Sequence, residues 1–420
     1  MERELATDIL LKIEKDDGYA SVVLSKILDR NIPERSRAFV TEIVNGVLRN
    51  QIYLDYIIDS VSKIKTEKMR PFIRQLLRIS VYQIKFMDRV PNSAAVNEAI
   101  KLTKKRKFQR LSGFVNAVLR EITRNEHIKL PYKQDDPALY LSVIYSFPLW
   151  ITRYYIDRFG LEQAERICRA GLNTPKAHLC PNTLRTTIDK LADILGAEKT
   201  SGGLLAEHSD FTQSDAFKDG LFHVMDESSM RAVELLNPQP GETVLDLCAA
   251  PGGKSFYCSY LMQNSGRIIS MDIHQHKLDK MNDSLNRLGI NIVQTRLADA
   301  RKVVPELVKQ ADRVLVDAPC TGLGVVRRKP DIKYAKQPED IKRLAALQRE
   351  ILSAARRYVK PGGRLVYSTC TLTLEENDEN AAWFTANNSF EQMASALFLP
   401  DEDWHYDGFF MSSFMRKENL

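Results

Sequence analysis

From residue 1 to about 125, apolar side chains recur at helical spacing. Leu5, Ile9, Leu10 and Ile13 fall on one face. So do Phe39, Ile43, Val44, Val47 and Leu48, and then Ile73, Leu76, Leu77, Ile79 and Ile84. Such a stripe must be buried against something. Asp16-Asp17-Gly18, Asn31-Ile32-Pro33 and Val90-Pro91-Asn92-Ser93 supply the breaks. Strand-like alternation is nearly absent, so residues 1–130 are predicted to form an all-helical domain. Asn125 to Pro137 reads as a linker. Residues 137–172 return to helix and end near Gly171. Between 178 and 235 the pattern mixes short strands (His178–Leu184, Gly220–Met225) with a helix near Asp189–Leu195. Residues 131–236 are therefore expected to be a connecting subdomain, helices plus a small α+β region. From Pro240 short apolar runs alternate with helical stretches: Thr243–Leu247, Arg267–Met271, Asn291–Arg296, Arg313–Asp317 and Arg364–Tyr367. Strands alternating with helices imply βαβ units, so residues 237–420 predict a Rossmann-like α/β domain with a mostly parallel sheet. The chain is multidomain, α followed by α/β.

Charge changes this picture. The net charge is +6, from 60 Lys+Arg and 54 Asp+Glu. Residues 1–130 hold 25 basic and 16 acidic residues, net +9, so the remainder is net −3. Within the first domain, residues 61–110 hold 14 basic and 3 acidic residues. That asymmetry points to a polyanionic partner, either nucleic acid or an anionic membrane surface. No apolar run approaches the ~20 residues that span a bilayer, and the start, Met1-Glu2-Arg3-Glu4, lacks the apolar region of a signal peptide. Six cysteines without a CxxC pair fit neither a disulfide scaffold nor a zinc module. The expectation is a cytoplasmic protein with reduced thiols, no metal and no membrane association. His274-Gln275-His276 lacks the partner ligands of a metal site and is read as a helix start.

The candidate chemistry lies at strand ends. The first strand runs into Cys248-Ala249-Ala250-Pro251-Gly252-Gly253-Lys254. Small residues and glycines between a strand and a helix let a nucleotide-like ligand lie against backbone. The second strand ends at Asp272, suited to two ribose hydroxyls, and Asp299 ends the third. One such Asp is usually a helix cap. Three strand-end features in succession fit an adenosine-containing ligand. Lys254 reads either as part of that loop or as a surface residue at the helix start.

The fourth strand ends in Asp317-Ala318-Pro319-Cys320 and the fifth in Ser368-Thr369-Cys370. In neighbouring strands, ends lie about 5 Å apart, which brings both thiols to one crevice. Cys168 and Cys258 read as ordinary core residues. Two thiols beside an adenosine site suggest methylation at C5 of cytosine from S-adenosylmethionine. C5 is a poor nucleophile until a thiolate adds at C6, and the adduct must later be expelled. Asp317 is placed to act as the acid at N3. Amine methylation needs no thiol and would place an Asn or Asp before Pro-Pro and an aromatic residue here, which is not seen.

At these residues the chain resembles the RsmB (Sun/Fmu) family of bacterial ribosomal RNA 5-methylcytosine methyltransferases. Leu245–Lys254, Asp312–Gly324, Val366–Thr371 with Glu375-Glu376-Asn377, and Asp407-Gly408-Phe409-Phe410 carry the likeness. It implies Cys370 as the nucleophile and Cys320 as the thiol that assists proton removal or release. It also implies Cys248 to Lys254, Asp272, Asp299 and Asp317 around S-adenosylmethionine, with Pro319 against the base. Arg35–Val40, Asp88–Pro91 and Phe114–Arg120 resemble a NusB-type RNA-binding domain. The implied substrate is one cytosine of 16S, small-subunit ribosomal RNA, and the implied protein is a monomer. The chain departs from the family at Cys180-Pro181-Asn182-Thr183-Leu184, where Arg-Val-Asn-Thr-Leu is usual, leaving Arg185 as a substitute. Met225 stands where Gln is expected.

Two basic runs are candidate RNA contacts. Lys104-Lys105-Arg106-Lys107 reads as an RNA contact or a solvated helix end. Arg327-Arg328-Lys329 lies in a stretch, 325–364, with 12 basic and 4 acidic residues, and is expected to grip phosphates near the target base. Residues 371–415 contain no Lys or Arg. The competing readings are a methyltransferase acting on another RNA, such as tRNA or a different rRNA site, and a non-catalytic NusB-like assembly factor.

Overall fold

A computed structural model describes residues 1–420 except 17–19, 29–31, 126–127, 207–208, 401–405 and 419–420. The turn signals at Asp17-Gly18 and Asn31, and part of the 125–137 linker, lie outside the described residues. The chain forms two compact units, 1–173 with 326–336 and 174–325 with 337–420.

The first unit is helical. Glu2–Asp16, Glu34–Val61, Pro71–Phe86, Asn92–Lys105 and Ser112–Arg124 bury the expected stripes, and Ile9, Ile43, Val44, Leu76, Leu77 and Val115 form its core. The unit runs past residue 130 to Asn173. Helices Pro137–Ile144, Leu149–Phe159 and Leu161–Ala170 join it. Ser146 Oγ accepts from the Ile52 amide at 2.7 Å, and the Tyr56 hydroxyl donates to the Lys129 carbonyl at 2.9 Å. A later segment, 326–336, also belongs here. The Asp331 carboxylate accepts the Ala20 amide at 3.0 Å, and the Tyr334 hydroxyl donates to the Ser146 carbonyl at 3.1 Å.

The second unit contains two sheets. Strands β1 (Ala177–Pro181), β2 (Glu198–Lys199), β3 (Leu204–Ala206) and β4 (Phe222–Val224) form an antiparallel sheet in the order β2-β3-β1-β4. The larger sheet holds β5 (Thr243–Asp246), β6 (Arg267–Asp272), β7 (Val293–Leu297), β8 (Ala311–Asp317), β9 (Val359–Thr369), β10 (Phe390–Phe398) and β11 (Phe409–Arg416). Its order is β10-β11-β9-β8-β5-β6-β7, parallel from β7 to β9 and antiparallel through β11 and β10. The sequence pattern does not predict the last two strands. β11 is buried along most of its length, so Phe409 to Phe414 shows no alternation. The order reverses at β5, between β6 and β8. Ligands of such sheets bind beyond the carboxyl ends at that switch point.

Candidate active site

Backbone pairing shapes the loop after β5. The Leu247 amide donates to the Leu315 carbonyl at 3.0 Å, and the Ala249 amide to Met271 at 2.8 Å. The loop therefore straddles both neighbouring strands. Gly252 has φ +111°, and a Cβ there would lie 2.4 Å from the Phe256 ring. Only glycine allows this turn into helix Gly253–Leu261. A cavity of about 180 Å³ opens over it, lined by Cys248, Ala249, Ala250, Pro251, Gly253 and Lys254 with Asp246 and Asp317. Met225, Asp226 and Ser229 close its other side. The sequence does not single out Asp246 or Ser229. A four-residue strand ending in Asp gives no sign that its carboxylate faces a ligand.

Asp246 is 1 % exposed, and burial pushes its carboxyl up to about 7 against the opposing Ser255 hydroxyl. Ser255 Oγ donates to Oδ2 at 2.7 Å. Oδ1 has no partner in hydrogen-bond geometry, only the Cys248 amide nearby. A buried polar atom lining a cavity without a partner fits a ligand that brings one. Asp272 Oδ1 accepts the His274 amide at 2.9 Å at the start of helix Gln275–Leu288. It is thus partly engaged in the turn before the helix, whose N-cap residue His274 makes no side-chain capping bond. Asp299 is held by Arg301 through its amide at 3.0 Å and its guanidinium at 2.7–2.9 Å, and that hydrogen bonding keeps its carboxyl below the usual range. Ile273 and Leu297 are exposed at the same strand ends. The small loop and the unpartnered Asp246 oxygen fit S-adenosylmethionine, while Asp272, Asp299, Ile273 and Leu297 do not line this cavity.

Lys254 is not a surface residue. Its ammonium donates to Asp317 Oδ2 at 2.6 Å and lies 5.3 Å from the Phe409 ring centre. Burial disfavours its charge, but Asp317, and then Asp246, outweigh burial and hold its pKa above the ordinary value. Ser368 Oγ donates to Asp317 Oδ1 at 2.8 Å, so each carboxylate oxygen has a donor.

Asp317 is paired in register with Ser368 across β8 and β9. The two thiols follow, with Cys320 Sγ 3.2 Å from Cys370 Sγ and no disulfide between them. The hydrogen bond to Cys370, then burial, then the charges of Glu376 and Asp317, push the Cys320 thiol well above its ordinary pKa. Cys168, Cys180 and Cys258 are wholly buried, and burial pushes their thiols up as well. They are core residues. Pro319 is exposed beside the pair. The loop after Cys320 is fixed where Gly324 meets Gly408. A Cβ on Gly324 would lie 2.0 Å from the Gly408 carbonyl oxygen, while the Gly324 amide donates to the Cys370 carbonyl at 3.0 Å.

The candidate RNA contacts divide. Arg327 is 2 % exposed, because 326–336 packs into the helical unit, and it does not present its charge to a phosphate as expected; Arg328 is half-buried and Lys329 exposed. Lys105 pairs with Glu4 at 2.5 Å, and Arg106 with Glu4 at 2.9 Å and Asp8 at 2.5 Å, while Lys104 and Lys107 are exposed. Arg185 donates to the carbonyls of Asp219 at 2.5 Å and Arg287 at 3.0 Å, so it anchors backbone. Among the described residues no group of three or more His, Cys, Asp or Glu is arranged to hold a metal, and no helix is long and apolar enough to cross a membrane.

The strand order, the small-residue loop and the acidic strand ends define an S-adenosylmethionine-dependent methyltransferase. Residues 233–415 match the family described as 16S rRNA methyltransferase RsmB/F, and residues 1–124 match the NusB family. A protein of Bacillus subtilis named probable ribosomal RNA small subunit methyltransferase B is 40% identical over 90% of this chain and 86% of its own. Ribosomal RNA small subunit methyltransferase B of Proteus mirabilis is 30% identical, with 96% of each chain covered. The crystal structure of PH0851 superposes with a TM-score of 0.81 at 26% identity, over 100% of this chain and 99% of that one. The chain belongs to the RsmB/F methyltransferase family and carries a NusB domain at its N-terminus.

Proposed function

We propose that the protein methylates C5 of a specific cytosine in 16S ribosomal RNA through a covalent adduct between Cys370 and C6. The observation that carries this reading is the pair of thiols 3.2 Å apart at the ends of β8 and β9, beside the cofactor cavity. The relatives' names supply the RNA.

Cys370 Sγ adds to C6 as a thiolate, forming the S–C6 bond and turning C5 into an enamine-like carbon. Charge developing at N3 meets Asp317, with the Lys254 ammonium 2.6 Å from its Oδ2 as the proton reserve. S-adenosylmethionine, when bound, supplies the electrophilic methyl that C5 takes. The C5 proton then leaves, the C5=C6 bond reforms, and the S–C6 bond breaks to return the Cys370 thiolate. Cys320 is suited to the proton removal. At rest its hydrogen bond to Cys370 is the largest cause holding its proton on. Once Cys370 sulfur is bonded to carbon that cause is gone, which favours Cys320 as the acceptor of the C5 proton, while burial and the charges of Glu376 and Asp317 still oppose its ionisation. Reaching C5 and C6 requires an unstacked base, flipped or already in a loop.

The test maps 5-methylcytosine in ribosomal RNA from cells with and without the gene. Loss at one small-subunit position is expected. Loss in tRNA instead would redirect the substrate, and no loss anywhere would overturn the reading. In vitro, Cys370→Ala should abolish methylation and adduct together. Cys320→Ala should accumulate a protein–RNA adduct when S-adenosylmethionine is present. An adduct with Cys370→Ala would reverse the two roles.

A further inference from the structure

Beyond the lining of the cofactor cavity, beside the thiols, lies a buried polar cluster. Glu376 is fully buried and pairs with no cation among the described residues. Its carboxylate accepts four hydrogen bonds. Oε1 takes the Thr321 amide at 2.9 Å and Gln348 Nε2 at 3.0 Å. Oε2 takes the Thr321 and Thr373 hydroxyls, each at 2.6 Å. Gln348 Nε2 also donates to the Pro319 carbonyl at 3.0 Å. Both peptides flanking Cys320 are thereby tied to one carboxylate. An unpaired buried charge is costly, and a carboxylate alone accepts at all four sites, since an amide would turn two donors toward them.

The next residue serves the other loop. Asn377 stands at the N-cap of helix Asp378–Ala386 but makes no capping hydrogen bond. Asn is among the best capping residues, so its side chain has been turned elsewhere. Oδ1 accepts the Thr369 hydroxyl at 2.6 Å, and Nδ2 donates to the Thr371 carbonyl at 3.0 Å. Thr369 and Thr371 flank Cys370. The halves meet where the Thr321 and Thr371 hydroxyls lie 2.6 Å apart, where Thr373 reaches Glu376, and where the Gly324 amide donates to the Cys370 carbonyl at 3.0 Å.

We infer that Glu376 and Asn377 are positioning residues with divided duties, Glu376 setting the Cys320 loop and Asn377 the Cys370 loop. The division into adduct formation and adduct release rests on the covalent reading above. The two halves then fail differently. Glu376→Gln should behave like Cys320→Ala, forming the adduct but releasing product slower by roughly 10²-fold, the usual scale for an ångström of misplacement. Asn377→Ala should behave like Cys370→Ala, with adduct formation slowed on the same scale. S-adenosylmethionine affinity, measured by calorimetry, should stay within about 3-fold of the parent in both.

A readout that needs no RNA separates this inference from the proposed reaction. Diamide oxidises two adjacent thiols to a disulfide, taking up their two electrons and two protons to become the hydrazine. The Cys320–Cys370 disulfide should form rapidly in the parent and about 10-fold or more slowly in either variant, followed by mass spectrometry. If Glu376→Gln or Asn377→Ala fails to bind S-adenosylmethionine, Thr321→Val, which removes one Glu376 bond and the Thr371 contact, and Thr369→Val, which removes one Asn377 bond, decide in the same assays. Parent-like crosslinking in the variants of both halves overturns the clamp. Equal loss of adduct in both halves overturns the division. Absence of adduct in the parent and in Cys320→Ala overturns the covalent reading and leaves the crosslinking result standing.

Discussion

Two lysines largely withdrawn from water, one in each unit, show what a partner does to a charge. Lys254, beside the cofactor cavity, faces Asp317 at 2.6 Å, and its pKa is held above the ordinary value although burial opposes it. Lys333, in the segment 326–336, is fully buried with no carboxylate on its ammonium. It donates to the Arg49 carbonyl at 2.9 Å and lies over the rings of Phe147 at 4.5 Å and Tyr334 at 5.2 Å. Burial pulls it down to about 7, with the Cys168 thiol opposing and Arg49 assisting. A carbonyl dipole and two π faces compensate for lost water less well than a carboxylate. Lys254 therefore rests as a cation with a proton to lend to Asp317, and Lys333 changes charge near neutrality.

The largest effect that would sharpen this contrast is on activity. Lys254→Met should lower the methylation rate on the order of 10²-fold, because it removes the proton reserve behind Asp317. Asp317→Asn in the same chain should cost little more, since the two act as one unit. A double-variant rate equal to the product of the single losses would show that the pair is not coupled. Lys333→Met should act on stability instead. The folded state releases the Lys333 proton near pH 7 and the unfolded state only near 10.5. Between those values the unfolded chain binds more protons, so stability rises with pH. The unfolding free energy of the parent minus that of Lys333→Met should therefore increase from pH 7 to 9 by up to about 1.4 kcal/mol per pH unit. A flat difference in denaturant titrations would mean that Lys333 keeps its charge in the folded protein.

The same contrast explains what the sequence could show. The helical stripes, the strand–helix alternation and the paired Cys320 and Cys370 motifs were legible because periodicity and strand ends are local patterns. Asp272 and Asp317 close β6 and β8, and Asp299 follows β7 by two residues, as strand-end patterns suggest. What burial and distant partners decide was not legible. Lys254 read equally as surface or site, because Asp317 lies 63 positions away. Arg327 read as a phosphate contact, because nothing local shows that 326–336 leaves the catalytic unit and packs among the helices of 1–173. Asp246 carries no local signal, because its unpartnered oxygen is a property of the fold. Strands β10 and β11 were missed because one is largely exposed and the other buried on both faces, so neither alternates.

The smallest expected effect carries the comparison to the surface. Of the four basic residues 104–107, Lys105 and Arg106 are held by Glu4 and Asp8, while Lys104 and Lys107 are exposed. A cation already paired with a carboxylate must give up that partner to meet a phosphate, so the density of a basic run overstates its reach. Replacing Lys104 and Lys107 with Gln should lower RNA affinity and reduce the slope of log affinity against log salt by roughly 0.7–0.9 for each phosphate that is no longer neutralised. Replacing Lys105 and Arg106 should change that slope less, because cations already held by Glu4 and Asp8 neutralise fewer phosphates. Slopes unchanged from the parent in both double variants, measured by filter binding across a salt series, would return the whole run to a solvated helix end. A difference in the expected direction would assign the RNA-facing charge of this domain to the two lysines that the fold leaves without acidic partners.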